Sequence, residues 1–382
     1  MASPQRYVSE GIKQGYDKSV LKIARDQIDA FEAEHDDMPA LLTLNHLVKR
    51  VNEEYSYVRN VVSRNTKADY LTFSIRKRSG GFRRIHVPSM RLMKLQRWIS
   101  FHVLRQAKVS QYSFAFSPES STDKCAKQHC NSKWLIKLDI ADFFGSISEA
   151  DVYKVFRSLG YQPLVSFELA RITTVAPLSR RYRKSHWRSG RGIGTILRYC
   201  SNRKGFLPQG APTSPMLSNL VMLQKDILIA AVAKKHGLRY TRYSDDIAFS
   251  TKKEYSRTQA HALIDSVSEI LRSFGLRLNT NKTIIVPPGG RKVVLGLTVN
   301  GTRPTLSKEF KSKLKMHMHF IEKFGLQHHA DKRGFDTAGG LYRHVKGLID
   351  YAHMIDPEYS EIYKNRLSAI PFIESQSNYK PA

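Results

Sequence analysis

Two short apolar segments of this chain, both typical of buried strands, carry carboxylates at their ends. Residues 134–140, WLIKLDI, form an apolar segment in which Asp139 comes at the end, and residues 239–250, RYTRYSDDIAFS, predict two strands around Ser244, Asp245 and Asp246. An acid that ends an apolar strand needs an explanation, because a buried carboxylate without a partner is costly. The pattern therefore predicts a sheet that presents clustered acids at one edge.

Adjacent acids on a tight turn repel each other unless cations neutralise them. The Asp245–Asp246 pair alone is equally compatible with a solvated turn, in which Asp is common, but Asp139 favours a metal site. Mg²⁺ held by a few carboxylates plus substrate phosphates serves nucleotidyl transfer: one ion activates the attacking 3′-hydroxyl and the other steadies the leaving pyrophosphate. We expect these three acids to bind two Mg²⁺ ions, with the Ile140 carbonyl completing the coordination of the second ion.

The remaining pattern predicts an α+β protein. Apolar residues fall at helical intervals from Ser19 to about Val62, and residues 71–87 alternate around a Ser79-Gly80-Gly81 turn, as in a β-hairpin. Further helices are predicted at 90–106, 148–175, 216–235 and 256–274, then a short strand at 292–301 and basic helices from Ser307 onward. Strands that alternate with helices in this way predict a palm-like core.

The charge balance points to a polyanionic partner. Lys and Arg number 62 against 33 Asp and Glu, giving a formal net charge of +29. An anionic membrane surface and a merely solvated basic face are the alternatives. Residues 180–204 are rich in Arg and Lys with interspersed aromatics, and no acid lies between Glu168 and Asp226. This favours phosphate contact with base stacking, and makes Arg180, Arg181 and Arg183 candidate RNA-binding residues.

Cysteine usage and hydropathy predict a cytoplasmic protein. Three cysteines at irregular spacing do not make a disulfide framework. A zinc site at Cys125, His129 and Cys130 is rejected, because structural zinc needs four ligands. No apolar run approaches the roughly 20 residues of a spanning helix, and the first residues lack a signal peptide's apolar stretch, so we expect no membrane partner.

Six motifs occur in an order that resembles reverse transcriptases over roughly residues 40 to 360. They are RRIHVPS, LDIADFFGSI, LPQGAPTSPMLSNL, YSDD, LNTNKTIIV and VVLGLTVNG. The resemblance implies a right-hand polymerase with fingers, palm and thumb, and a helical lead-in. The corresponding regions are 1–66, a helical N-terminal region; 67–290, fingers and palm; and 291–382, a basic RNA-binding thumb.

The resemblance also implies residue roles. Asp139 and Asp245 become the principal metal ligands and Asp246 completes the acidic cluster, while Lys282 holds the position of a lysine that protonates pyrophosphate. The implied dNTP-binding residues are Phe144 as a steric gate against a ribose 2′-hydroxyl, Gln209 and Gly210 in the nucleotide pocket, and Arg83 with Arg78 on the facing strand as triphosphate clamps. Ordinary core packing for Phe144, and exposed hairpin arginines for the clamp, are the alternatives.

Two further elements resemble retron reverse transcriptases. Cys125-Ala126-Lys127-Gln128-His129 is similar to an Asn-Ala-x-x-His element, with Cys125 in place of Asn, and Val294-Leu295-Gly296 is similar to a Val-Thr-Gly motif, with Leu295 in place of Thr. The likeness implies a cognate structured RNA that is both template and primer, a branched multicopy single-stranded DNA (msDNA) product, and antiphage defence with an effector protein.

His129 then either helps to hold the RNA or is a structural histidine. Basic thumb residues, including Lys308 and Lys311, are expected to grip an RNA stem. Another prokaryotic reverse transcriptase (diversity-generating, group II intron-like or defence-associated) and a non-catalytic RNA-binding scaffold are the alternative functions.

Overall fold

The N-terminal region is helical. A computed structural model describes residues 4–35, 37–64, 69–77, 80–176 and 204–371. The first four helices are α1 Pro4–Lys13, α2 Lys18–Glu34, α3 Leu44–Val51 and α4 Tyr55–Ser63. Asp17 and Thr43 cap α2 and α3 by accepting bonds from backbone N–H groups. The helical pattern predicted from Ser19 to Val62 is confirmed, divided into three helices.

A two-stranded antiparallel hairpin follows, built from β1 Tyr70–Arg76 and β2 Phe82–Pro88. Gly80 and Gly81 both have positive φ, 86° and 75°. Residues with a side chain rarely adopt such angles, so this turn depends on the two glycines. The hairpin prediction is confirmed. Helix α5, Met90–His102, and a 3₁₀ turn, Leu104–Gln106, lead into the central domain.

The central sheet has four antiparallel strands in the order β4-β5-β3-β6. Their bounds are β3 Trp134–Asp139, β4 Arg239–Tyr243, β5 Asp246–Thr251 and β6 Ile284–Val286. In the register of β3 and β5, Asp139 lies directly opposite Asp246, and in the β4–β5 hairpin Tyr243 pairs with Asp246. The predicted acidic edge therefore exists at one end of this sheet.

Five helices of the described chain share the largest apolar core with this sheet: α7 Phe143–Ser146, α8 Glu149–Ser158, α9 Pro163–Thr173, α10 Ser214–Lys235 and α11 Arg257–Ser273. Helix α6, Thr122–Lys127, packs against β4, and its buried Cys125 and Ala126 belong to a second apolar cluster. The single run predicted at 148–175 is two helices, because the chain turns at Gly160, where φ is +87°, and restarts at Pro163.

In the described part of the chain, α10 alone is long and apolar enough to span a membrane, which corrects the expectation that no segment approaches that length. Since 67% of its most apolar window is buried inside the protein, α10 has the environment of a core helix.

The described C-terminal region has a small sheet, and four helices that share an apolar core of their own. The strands are β7 Val293–Val294, β8 Leu297–Thr298 and β9 Thr305–Leu306, and the helices are α12 Lys308–Phe324, α13 Leu326–Arg333, α14 Ala338–Ile355 and α15 Pro357–Ser368. The prediction of one strand at 292–301 is wrong. Leu295 and Gly296, with φ of 49° and 84°, form a two-residue turn between β7 and β8.

Candidate active site

The three acids meet at the end of β3 and the β4–β5 turn. Asp139 is 5% exposed, and the adjoining Ile140 N–H donates to the Asp245 carbonyl at 3.0 Å. Ser244 and Asp245 form the two-residue turn, and Ser244 has a φ of 58°, in the left-handed region. Strand register and this backbone bond together fix the relative positions of the three acidic residues.

Burial and mutual repulsion disfavour the charged forms of two of these acids. Burial raises the pKa of Asp245, and the nearby Asp139 carboxylate raises it further. Burial likewise raises the pKa of Asp246, with a second contribution from Asp245. A cation bound here would relieve both effects, so the electrostatics fit a cation site.

Lys282 supplies one cation from within the chain. It ends the 3₁₀ turn Thr280–Lys282, and its Nζ lies 2.7 Å from Asp139 Oδ2. This hydrogen bond raises the pKa of Lys282, which keeps the ammonium protonated. Asn279 supports the pair, because its Nδ2 donates to Asp139 Oδ1 at 3.2 Å and its backbone N–H to the Asp139 carbonyl at 2.7 Å. The sequence interpretation had missed Asn279.

The donor set fits Mg²⁺ bound together with substrate. Within the described ranges, no group of three His, Cys, Asp or Glu side chains is arranged to hold a metal ion. Mg²⁺ commonly takes only one or two carboxylates and completes its shell with water and substrate phosphates, so three converging ligands are not required. The backbone bonds beside Ile140 use the carbonyls of Asp139 and Arg277, not that of Ile140. The Ile140 carbonyl therefore stays a predicted ligand.

An open cavity of about 420 Å³ joins the acids to the hairpin. Its lining includes all three acids, Lys282, Asn281, Lys137 and Arg83. Lys137 precedes Asp139 by two residues on β3 and so faces the same side of the sheet. This alternation was visible in the sequence, but Lys137 was missed. Its charge lowers the pKa of Asp246, against the larger effect of burial.

Gln209 and Gly210 lie against strand β2. The Gln209 carbonyl accepts a hydrogen bond from the His86 N–H at 2.8 Å. Gly210 has a φ of +118°, and a Cβ at this position would come within 3.0 Å of both the His86 carbonyl oxygen and Ile85 Cγ2. Glycine is required here because the backbone at this position lies too close to strand β2 for a side chain. The predicted nucleotide-pocket segment is thereby attached to the strand that carries Arg83.

Comparison with known proteins settles the family. The family model for reverse transcriptase (RNA-dependent DNA polymerase) matches residues 75–333. The chain belongs to this family. The reverse transcriptase resembles the retron Mx65 reverse transcriptase of Myxococcus xanthus, with 32% identity over 292 residues, which is 76% of this chain and 62% of that relative. It also resembles the retron Ec86 reverse transcriptase of Escherichia coli, with 25% identity over 93% of this chain and 97% of the relative.

These matches confirm the right-hand polymerase fold and the retron type expected from the motifs. The reverse transcriptase spans less than two thirds of the Mx65 relative's length. Among solved structures, the telomerase of Candida albicans with a fragment of telomeric RNA matches 80% of this chain and 57% of its own, at 14% identity and a TM-score of 0.39, too low to carry an inference.

The remaining predicted dNTP-binding residues are Phe144, Arg83 and Arg78. Phe144 is half-buried in α7, with its ring 5.5 Å from that of Phe143, which is 4% exposed and takes the core position. Its role as a steric gate stays a prediction. Arg83 is exposed and pairs with Ile75 of β1 in the strand register. The expectation that Arg78 lies on the facing strand stays a prediction. Arg78 itself lies outside the described residues.

Arg180, Arg181 and Arg183 also lie outside the described residues, but the two ends of their segment are described. Val175 and Phe206 exchange two backbone hydrogen bonds of 3.0 Å. The fully buried Glu149 accepts a bond from the Thr174 hydroxyl at 2.7 Å and another from the Gly205 N–H at 3.1 Å. The described residues on the two sides of segment 177–203 are therefore held together by hydrogen bonds.

His129 has no surface to offer to RNA in this structure. It is 0% exposed, and its ring nitrogens each lie 2.7 Å from a hydroxyl, Nδ1 from Ser250 Oγ and Nε2 from Thr241 Oγ1. These contacts join the end of α6 to both strands of the β4–β5 hairpin. Of the two roles left open from the sequence, the structural one is favoured.

The two thumb lysines differ in their surroundings. Lys308 is exposed at the first turn of α12. Lys311 lies 3.4 Å from Asp356 Oδ2 and 4.4 Å from the ring centroid of Tyr359. Lys311 therefore also helps to join α12 to α15, which the sequence did not indicate.

Proposed function

We propose that this protein is a retron reverse transcriptase that copies a cognate structured RNA into branched msDNA by two-metal nucleotidyl transfer. The observation that carries the proposal is that one cavity is lined by the acids at the end of β3 and at the β4–β5 turn, by Lys282, and by Arg83 from the hairpin. A non-catalytic scaffold has no use for this arrangement, because clustering three carboxylates costs folding free energy.

The acids and Lys282 have separate roles in the proposed reaction. Asp139, Asp245, Asp246 and the Ile140 carbonyl would hold two Mg²⁺ ions, which when bound activate the attacking 3′-hydroxyl and stabilise the leaving pyrophosphate. Lys282, held protonated by Asp139, is a proton donor for the leaving group once phosphate oxygens compete for its ammonium.

Binding and selection of the dNTP fall to neighbouring residues. Arg83, with Arg78, supplies charged donors for the triphosphate. Gly210 lets the backbone approach the substrate, Gln209 holds that segment to β2, and Phe144 excludes a ribose 2′-hydroxyl.

The RNA-binding surface is proposed to include Arg180, Arg181 and Arg183 with Lys308 and Lys311, acting through phosphates. The formal net charge of +29 supports a polyanionic partner such as RNA. The likeness to two retron reverse transcriptases supports a retron role, from which we infer an RNA that primes its own copying, an effector protein and antiphage defence in the cytoplasm.

The test is RNA-templated DNA synthesis by the purified protein with Mg²⁺. Asp245→Asn removes one carboxylate charge without changing side-chain volume, and should lower kcat at least about a thousandfold, because ligand and charge are lost together. Asp265→Asn makes the same change at an exposed position on α11 and should leave synthesis intact. Equal synthesis by the two variants would overturn the proposal.

A further inference from the structure

A buried ion pair connects the acidic turn to the core. Arg242 on β4 and Asp226 on α10 are both 0% exposed, and the guanidinium donates two bonds of 2.8 Å to the carboxylate. The Tyr240 hydroxyl donates to the same carboxylate at 2.7 Å. A buried pair of this kind is seldom more stable than apolar residues of equal volume, so stability alone does not account for it.

The same guanidinium reaches the turn itself. Arg242 Nη1 donates to the Ser244 carbonyl at 3.2 Å and to Asn219 Oδ1 at 3.0 Å. Ser244 precedes Asp245 and has a φ of 58°, a strained conformation for a non-glycine residue. Arg242 therefore holds the carbonyl of a strained residue directly beside a proposed metal ligand.

Arg242 is itself held at its backbone. Its N–H donates to the Tyr112 carbonyl and its carbonyl accepts from the Phe114 N–H, both at 2.8 Å. These bonds fix the Arg242 backbone, while Asp226 fixes its guanidinium. The guanidinium therefore has little freedom to shift if the β4–β5 turn moves.

Asn219 is held as firmly as the arginine. Its Oδ1 accepts from Ser113 Oγ at 2.9 Å, and its Nδ2 donates to the Ala115 carbonyl at 2.6 Å. Asn219 and Asp226 are seven residues apart, on one face of α10, which begins at Ser214, four residues after Gly210. The network therefore connects the helix behind the nucleotide-pocket segment to the acidic turn.

We propose that Arg242 is a positioning residue that fixes the Ser244 backbone and so sets where the Asp245 carboxylate lies when metal binds. Its own charge is matched by Asp226, so it acts through hydrogen bonds and does not compete with a metal for the acids. The inference deepens the proposed polymerase function and rests on it.

The main test is the double variant Asp226→Leu/Arg242→Met in the full chain. It replaces the ion pair with apolar side chains of similar volume, which buried pairs tolerate, while it removes the donor to Ser244. Tyr240→Phe is the matched control, because it loses a bond to Asp226 and none to the turn. Mn²⁺ binding to the protein alone is measured by electron paramagnetic resonance, beside Tm, kcat and KM for dNTP.

The double variant should keep a cooperative unfolding transition, bind Mn²⁺ about 10–100-fold more weakly and lose kcat by a similar factor, as when support of a metal ligand is removed. Tyr240→Phe should match the unmutated protein in both. A folded double variant with unchanged Mn²⁺ affinity and unchanged kcat per active site overturns the proposal.

Arg242→Lys covers the case in which the double variant does not fold. A single ammonium keeps the charge pair but cannot serve Asp226, Asn219 and Ser244 together, so the same loss is expected and its absence again refutes the role. If the unmutated protein makes no DNA, the polymerase proposal fails by itself, whereas the Mn²⁺ comparison still decides on positioning.

Discussion

The burial of His129 predicts a pH-dependent stability that a surface histidine would not give. Burial lowers the pKa of His129 to about 3, whereas an unfolded histidine titrates near 6.5. The folded pKa is the lower one, so the unfolded chain takes up the proton first. The stabilisation from a neutral His129 is therefore complete above about pH 6.5 and is lost as the pH falls towards 3.

The magnitude follows from the gap between the two pKa values. Each pH unit below 6.5 costs about 1.4 kcal/mol, so the loss at pH 5 is about 2 kcal/mol. The group is fully buried between two hydroxyls, so solvent does not screen the effect appreciably.

The assay is urea unfolding at pH 7 and pH 5 for the unmutated protein, His129→Gln and the exposed-site control His261→Gln. His129→Gln should be less stable at pH 7 but lose about 2 kcal/mol less between the two pH values. The control should follow the unmutated protein. Equal pH dependence in all three proteins would show that His129 is not held neutral by burial.

The same variants separate the two roles considered for His129. A structural histidine affects the folded fraction, so His129→Gln should bind RNA with unchanged affinity per folded molecule at pH 7. A lower affinity in fully folded protein would restore the RNA-contact interpretation.

Three further predictions concern the substrate and RNA surfaces. Phe144→Ala should admit rNTPs, raising their kcat/KM relative to dNTPs by at least about tenfold, and an unaltered ratio would remove Phe144 as the gate. Replacing Arg180, Arg181 and Arg183 by Gln should make the plot of log affinity for RNA against log salt shallower by about 2 to 3, measured by filter binding; an unchanged slope would return the segment to a solvated face. Gly210→Ala should cost about 1–3 kcal/mol of stability and raise KM for dNTP, since φ is +118° there; wild-type values in both measurements would refute the close-approach argument.

The strand ends, the glycine turn and the long helices were predictable because each depends on local pattern. Asp139 was informative because an acid at the end of an apolar strand has few explanations, and period two along β3 would have revealed Lys137. These signals need only neighbouring residues, and the structure agrees with them.

The clustering of the three acids was expected, but the other contacts between distant segments were not predictable. Lys282 meets Asp139 across 143 residues of chain, and this contact is decided by the pairing of β6 with β3. The roles of Arg242 and Asp226 were equally hidden, since a basic residue in a strand among polar neighbours indicates no buried partner. Residue type likewise did not reveal that His129 is buried.

The central claim is that this site copies an RNA carried by the protein into branched DNA. It is tested most directly by purifying the protein from its host cells, in parallel with Asp245→Asn, and sequencing the nucleic acid bound to each. The account predicts a branched RNA–DNA of one fixed sequence on the unmutated protein, and only the RNA on the variant. Absence of DNA from the unmutated protein, or the same DNA on both, would contradict it.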